Sequence, residues 1–562
     1  MNNLDFIVMG VFALLILSIG MAFARMGSKN GNSYFKAGGE TPWWINGLSL
    51  FISYFSAGTF VVWGSIAYKY GLVANGIQLT MVIGGLLVAI FVAAKWKKTG
   101  ALTAAEYIGR RFNNKTQQFY TILIMLYSLL STAAVLYPVG KMVNVATGLS
   151  VNTCILIIGG IIILYTAAGG LWAVLVTDVI QFVILTAAVF IVIPLAFHQV
   201  GGIHNFTGKA PADFFKFFNS EYSFGFFLAF LAYQTIYIGG NWAYVQRYTS
   251  VSNAKNSRKV AYLFAGLYLI SPFIWMLPPM IYRVLNPGLT GLQPEGAYMM
   301  ICSQVLPAGL IGLVLSGMIS ATASKANTTI NLVAVVFAND VFKKLIKPAA
   351  TEQAVINSAR VFTVFFGALT IGIAMMVPLV GGIVEVVLST ASIAGGSLFA
   401  PIVWSLYSKK QNPASVITAS VSGLVISLLF KIIAPGLLHI SLNRVEETAL
   451  GIGLPLLILL VAEFMLPVIV SIPRPVSQTD AVSTQEAELN RNSSISQNVF
   501  AIKVIAAAIG IVGAGVLLLG ALAKDGGVAM VVGAVTAFFF FPVWRSALQL
   551  QKQITVIKNS IR

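Results

Sequence analysis

WWINGLSLFISYFSAGTFVVWGSIAY, Trp43 to Tyr68, is long and apolar enough to cross a bilayer, yet it carries Ser49, Ser53, Tyr54, Ser56, Gly58 and Thr59 near its middle. Small polar side chains and glycine at that depth suit a transmembrane helix that unwinds, because the carbonyls it frees can bind a cation or a solute. The competing reading is a small-residue face on which a neighbouring helix packs closely. A second stretch, FLAFLAYQTIYIGGNWAYVQRY from Phe227 to Tyr248, repeats the pattern with Gln234, Tyr237 and the pair Gly239-Gly240.

The rest of the chain places these two stretches in a membrane. Of 562 residues, 58% are hydrophobic and only 9% charged, and apolar runs of roughly 20 residues recur along nearly the whole length. An all-α polytopic membrane protein is expected, with fifteen spans numbered 0 to 14 at 6–25, 43–68, 75–94, 118–143, 152–170, 173–197, 224–243, 260–283, 306–340, 356–379, 381–407, 413–433, 447–472, 499–522 and 527–545. The interrupted stretches are spans 1 and 6. Breaks at corresponding positions of two five-helix halves point to a 5+5 inverted-repeat transporter core. No residue-level repeat supports the two halves, so this expectation rests on span count and break position. The chain then divides into 1–42, an extra N-terminal span and inner loop; 43–407, the ten-helix core; and 408–562, four further spans and a cytoplasmic tail.

A net charge of +18 raises nucleic acid as a partner, but the basic residues are scattered over many short loops rather than gathered in one patch. Topology accounts for them. With the N-terminus outside and the C-terminus inside a cytoplasmic membrane, most of the 35 Lys and Arg residues fall on inside segments, as the positive-inside rule requires. Ala22-Phe23-Ala24 resembles a signal-peptidase site, but MNNLDF ahead of the apolar run has Asp5 and no basic residue, so a retained span is expected. Two cysteines and three histidines, the latter in or beside predicted loops, give neither a disulfide framework nor a metal cluster. No HExxH, CxxC or nucleophile elbow is present, and no enzyme or cofactor is expected. The partners implied are the lipid bilayer and a small-molecule substrate.

Span 8 holds the one deep basic residue. In MISATASKANTTINLVAVVFAND, Met318 to Asp340, helical spacing puts Ser316, Ser320, Ser324, Asn327 and Asn331 on one face with Lys325 beside Ser324. A charge at that depth costs roughly 2.5 to 3.5 kcal/mol on insertion scales, which makes Lys325 a functional-site candidate. Lys431 and Lys503 sit near span ends, where they can snorkel.

The run Tyr165-Thr-Ala-Ala-Gly-Gly-Leu-Trp-Ala173, continuing to Thr177-Asp178, resembles the signature of the sodium/solute symporter family. So do Trp43-Trp44 with Ser49-Leu50-Phe51, Ala105-Glu106-Tyr107 with Arg111-Phe112, Val245-Gln246-Arg247, and Phe337 with Asp340. The resemblance implies a leucine-transporter-like core of spans 1 to 10 that works by alternating access. It also implies a sodium site between spans 1 and 8, here falling on the carbonyls of Ile52 and Phe55 and on Ala321, Ser324 and Lys325. The family has serine where this chain has Lys325.

Sodium beside a charged lysine would meet about 4 kcal/mol of repulsion at 4 Å in an effective dielectric near 20. Three mechanisms follow: Lys325 stays charged as a surrogate cation, it releases and regains a proton as the site alternates between dry and wet, or it swings away and leaves a weakened sodium site. A structural alternative pairs Lys325 with Asp178, which matches an acidic family position on the sodium exit path. Na+ and H+ are therefore the candidate coupling ions.

For the substrate, the resemblance to sugar-transporting members implies Tyr54 and Thr59 on span 1, Gln78 on span 2, Gln234 and the gate-like Tyr237 on span 6, Tyr268 on span 7 and Leu388 on span 10. The lysine of span 7 and the glutamine of span 10 that such members use are both replaced, which weakens the case for a hexose. Glu385, near Ser389 and Ser392, is a further candidate that can receive a cationic group or bridge helices. The expected function is secondary transport of a small organic solute, such as a sugar, amino acid or carboxylate. The alternatives are an ordinary sodium symporter with a modified cation site and a transporter-like membrane sensor.

Overall fold

The computed structural model describes residues 1–27, 41–101, 103–165, 171–347, 349–468 and 484–561. The side chains of Asn327, Asn331 and Asp340 lie outside the described residues, as does most of the 165–173 run. Among the described residues the chain is helical, with no strand. Among the described residues, ten helices are long and apolar enough to cross a membrane, or eleven when the bent pair Trp43–Tyr54 and Thr59–Tyr70 counts as one span. Four shorter apolar helices, Asn3–Ile19, Val151–Ile163, Phe224–Gly240 and Leu310–Ala326, fall where spans 0, 4, 6 and 8 are expected. The backbone of span 8 continues helical to Val336 and then widens into a π-helical stretch, Phe337–Ile346.

Both expected interruptions are present. Span 1 bends by 53° between Tyr54 and Thr59. Span 6 stops at Gly240, where Asn241 turns extended at ψ 129° and its side chain accepts from the Ala243 amide at 3.0 Å, starting the helix Trp242–Thr249. That pattern is an ordinary Asn N-cap set inside a membrane span. Glycine is required just before it, because a Cβ on Gly240 would press into Phe399 and Val403 of span 10.

Span 2 packs on spans 6 and 7, and span 3 on spans 4, 8 and 9. Span 5 lies between spans 1 and 8, with the hairpin of spans 13 and 14 on its other side. Span 12 packs on spans 6, 10 and 11. The residues at both breaks, Phe55 to Ala57 and Ile238 to Gly240, are buried in protein, which lets an irregular backbone exist at membrane depth.

Candidate functional site

The break in span 1 is closed by its own side chains. Phe55 is extended at φ −93° and ψ 119°, and its amide donates to the Ile52 carbonyl at 2.9 Å. That bond uses one of the two lone pairs of Ile52 and leaves the other available. The Thr59 hydroxyl donates to the Tyr54 carbonyl at 3.2 Å and accepts from the Ser56 amide at 3.2 Å. Thr59, expected to line the substrate pocket, is here a clamp across the break.

Span 5 ties the two walls of the implied cation site together. Ser49 of span 1 donates to Asp178 Oδ2 at 2.6 Å. Arg247, from the helix after the break in span 6, donates to the same Ser49 oxygen at 3.2 and 3.3 Å and lies 3.8 Å from Asp178. Both charged residues are 4% exposed. One turn further along span 5, Gln181 Nε2 donates to Ser320 Oγ of span 8 at 2.9 Å. Asp178 is thus engaged by Ser49 and Arg247, and the alternative that pairs it with Lys325 is not what the structure shows. Its position near span 5's start sets it beside spans 1 and 6 instead.

On span 8, Ala321 is buried and Ser324 and Lys325 are partly buried. The Lys325 carbonyl accepts from Thr329 Oγ1 at 3.0 Å, an ordinary helical back-bond. Among the described residues, neither a carboxylate nor a hydrogen-bond acceptor holds the Lys325 ammonium.

Three of the expected substrate residues, Tyr54, Tyr237 and Tyr268, meet in one aromatic cluster. The Tyr54 ring stands 4.8 Å from Tyr244, 5.3 Å from Phe264, 5.7 Å from Tyr237 and 6.1 Å from Tyr268. Tyr237 also meets Tyr233 at 5.4 Å and Phe399 at 5.3 Å, and its hydroxyl accepts from Tyr127 at 3.3 Å. It therefore touches spans 1, 3, 6 and 10 together. The Tyr54 hydroxyl, Gln78 Oε1 and Gln234 Oε1 are buried without a hydrogen-bond partner. Leaving such an atom unpaired costs about 1 to 3 kcal/mol, so a ligand that supplies the partner regains that energy.

Asn75, which the sequence did not single out, leaves both its amide nitrogen and oxygen unpartnered at 1% exposure. Its signal was its spacing: it lies three residues before Gln78, on the same helical face. Leu388 is a buried apolar residue.

Of the two roles expected for Glu385, receiving a cationic group of the substrate or bridging helices, the structure shows the second. Lys431 of span 11 pairs with it at 2.7 Å, Arg444 of span 12 at 3.2 Å, and Ser389 donates to it at 2.9 Å. Its carboxylate bridges three spans, and two cations already satisfy it. The sequence distance between residues 385, 431 and 444 hid that network.

The sodium:solute symporter family profile matches residues 34–423, more than half of the chain. Mouse sodium/glucose cotransporter 1 is 27% identical over 487 residues, covering 76% of this chain and 71% of that protein. Human sodium/iodide cotransporter is 28% identical over 443 residues, covering 75% and 68%. Among solved structures, a Na+-coupled sialic acid symporter in a substrate-bound outward-open state superposes with a TM-score of 0.69 at 22% identity, over 83% of this chain and 99% of that one. Its fold is the leucine-transporter-like one that the family resemblance implies. The relatives are cotransporters and not enzymes, and this chain, a polytopic membrane transporter, belongs to the sodium:solute symporter family.

Proposed function

We propose that this protein carries a small polar organic solute across the cytoplasmic membrane by alternating access, with the Lys325 ammonium standing where its family binds sodium. The observation that carries this reading is a lysine in the span 8 position of the cation site, next to Ser324 and one turn after Ala321. Asp178, the nearest expected counter-charge, is already taken by Arg247 and Ser49. A fixed ammonium would supply the positive charge that lets spans 1 and 8 close, and transport would then run as sodium-independent exchange or facilitated flux. A lysine that releases its proton when the site opens to water would instead couple transport to protons.

The solute would sit among Tyr54, Gln78, Gln234 and Tyr237, with Asn75 as a further ligand. Aromatic faces with amide groups at their edge suit a solute with one apolar face and several hydrogen-bonding groups. The second reading, a sodium symporter with an altered site, is favoured by the names of the relatives, which are sodium cotransporters. Solute counterflow in sodium-free proteoliposomes separates the two. Persistence at the rate seen with sodium supports the surrogate cation, and collapse without sodium supports the second reading.

A further inference from the structure

We infer that Asp5 is a positioning residue for the cation-site helix. It acts as a cap supplied from outside that helix, setting the height at which span 8 presents Ala321, Ser324 and Lys325. Span 8 begins at Leu310 with Gly309 as its N-cap, in the left-handed region at φ +86°, and its own sequence provides no side-chain cap. The Leu310 amide reaches the Pro307 carbonyl, but those of Gly309 and Gly312 would otherwise point unpaired into the protein.

Asp5, on the extra N-terminal span and 0% exposed, fills that gap. Its Oδ1 accepts from the Gly309 amide at 2.8 Å and the Gly312 amide at 3.0 Å, while Oδ2 accepts from the Asn2 amide at 2.9 Å. Among the described residues no Lys or Arg pairs with this carboxylate, so the positive end of span 8 is its counter-charge. The backbones of Gly312 and Asp5 also meet directly, because a Cβ on Gly312 would run into the Asp5 carbonyl, while one on Gly309 would press on the side chains of Leu519 and Leu4.

A helix transmits displacement along its axis. Lys325 lies fifteen residues beyond Leu310, about 22 Å at 1.5 Å per residue, so a shift at the capped end is carried to the cation site. The extra span thereby gains a task in transport, as the fixed point against which span 8 is held. This inference rests on the cation-site reading for its importance and on the Asp5 geometry for its truth.

The test reads position directly and needs no transport. In a chain with Cys154→Ala and Cys302→Ala, Lys325→Cys is labelled by a membrane-impermeant methanethiosulfonate reagent in purified, monodisperse protein. Adding Asp5→Asn should change the labelling rate by about tenfold, the size of a lost charge-dipole contact near its upper range. Leu4→Ala, which loosens the same interface without touching the cap, should leave the rate within about twofold. If Asp5→Asn does not yield folded protein, Gly312→Ala, which pushes the Asp5 backbone away, should give the same change. Equal rates in the Asp5→Asn and parent proteins, or in the Gly312→Ala protein where it replaces Asp5→Asn, would overturn the inference and leave the surrogate-cation reading standing. A change as large in Leu4→Ala would overturn it too, since packing alone would then explain it.

Discussion

Ser49 donates to Asp178 at 2.6 Å while Arg247 closes on the same serine oxygen, so one buried hydroxyl joins the first half of span 1 to span 5 and to the far side of the break in span 6. Three segments meet at this oxygen. Removing one charge leaves the other buried and unmatched, which is costlier than removing both. Asp178→Asn should therefore lower stability by about 3 kcal/mol, and adding Arg247→Gln should recover part of that loss. Denaturation of the purified single and double variants checks the sign, and an additive loss would contradict it.

Gln234 and Gln78 present oxygens that no group among the described residues satisfies. Truncating Gln234 should leave the resting protein nearly as stable as before, because its oxygen has no bond to lose. Any solute that raises the melting temperature should then lose its effect in Gln234→Ala. A solute at a hundred times its dissociation constant contributes about 2.7 kcal/mol, enough to be read in a thermal-shift assay. Retention of the full shift would place the solute elsewhere.

Glu221, in the loop before span 6, accepts from Tyr70 at 2.8 Å and pairs with Arg444 at 2.8 Å. Partial burial would raise its pKa, but the hydrogen bonds from Tyr70 and Arg444 outweigh that and hold it below the ordinary 4.5. A depressed carboxylate stabilises the fold above its unfolded value, and the contribution fades as pH drops through the lower folded value. Melting temperatures measured from about pH 6 down to about pH 3 should fall less steeply in Glu221→Gln than in the parent, from a lower starting point. Parallel curves would remove Glu221 from the account.

Span 12 crosses span 10 so closely at Gly451 that an added Cβ would overlap the Ser392 carbonyl. Backbone cannot move aside as a flexible side-chain tip can. Gly451→Ala should cost about 1 to 3 kcal/mol or more, visible as a lower melting temperature, whereas Gly453→Ala, with open space around it, should not. Equal effects would contradict the close crossing.

Those four cases also show what the sequence could and could not disclose. The breaks of spans 1 and 6 were legible because small polar residues and Gly239-Gly240 have a local meaning in an apolar helix, whatever they later touch. The grouping of Tyr54 with Tyr237 followed from the family resemblance. For Glu385 the sequence left open a cationic ligand or a bridge between helices, and could not choose because its partners Lys431 and Arg444 are distant in sequence and span depth alone says nothing about who pairs with whom. The Asp5 cap was invisible for the same reason: a missing N-cap at Gly309 shows only once span 0 is seen lying against it.

The central claim is that Lys325 stands in for sodium, and it is tested most directly by sodium-driven uptake in proteoliposomes for the parent and Lys325→Ser. The account predicts that an inward sodium gradient leaves uptake by the parent unchanged. The same gradient should drive accumulation in Lys325→Ser, because the serine restores an oxygen and removes the roughly 4 kcal/mol repulsion that kept the ion out. Sodium-driven accumulation in the parent, with the same sodium dependence in Lys325→Ser, would contradict it.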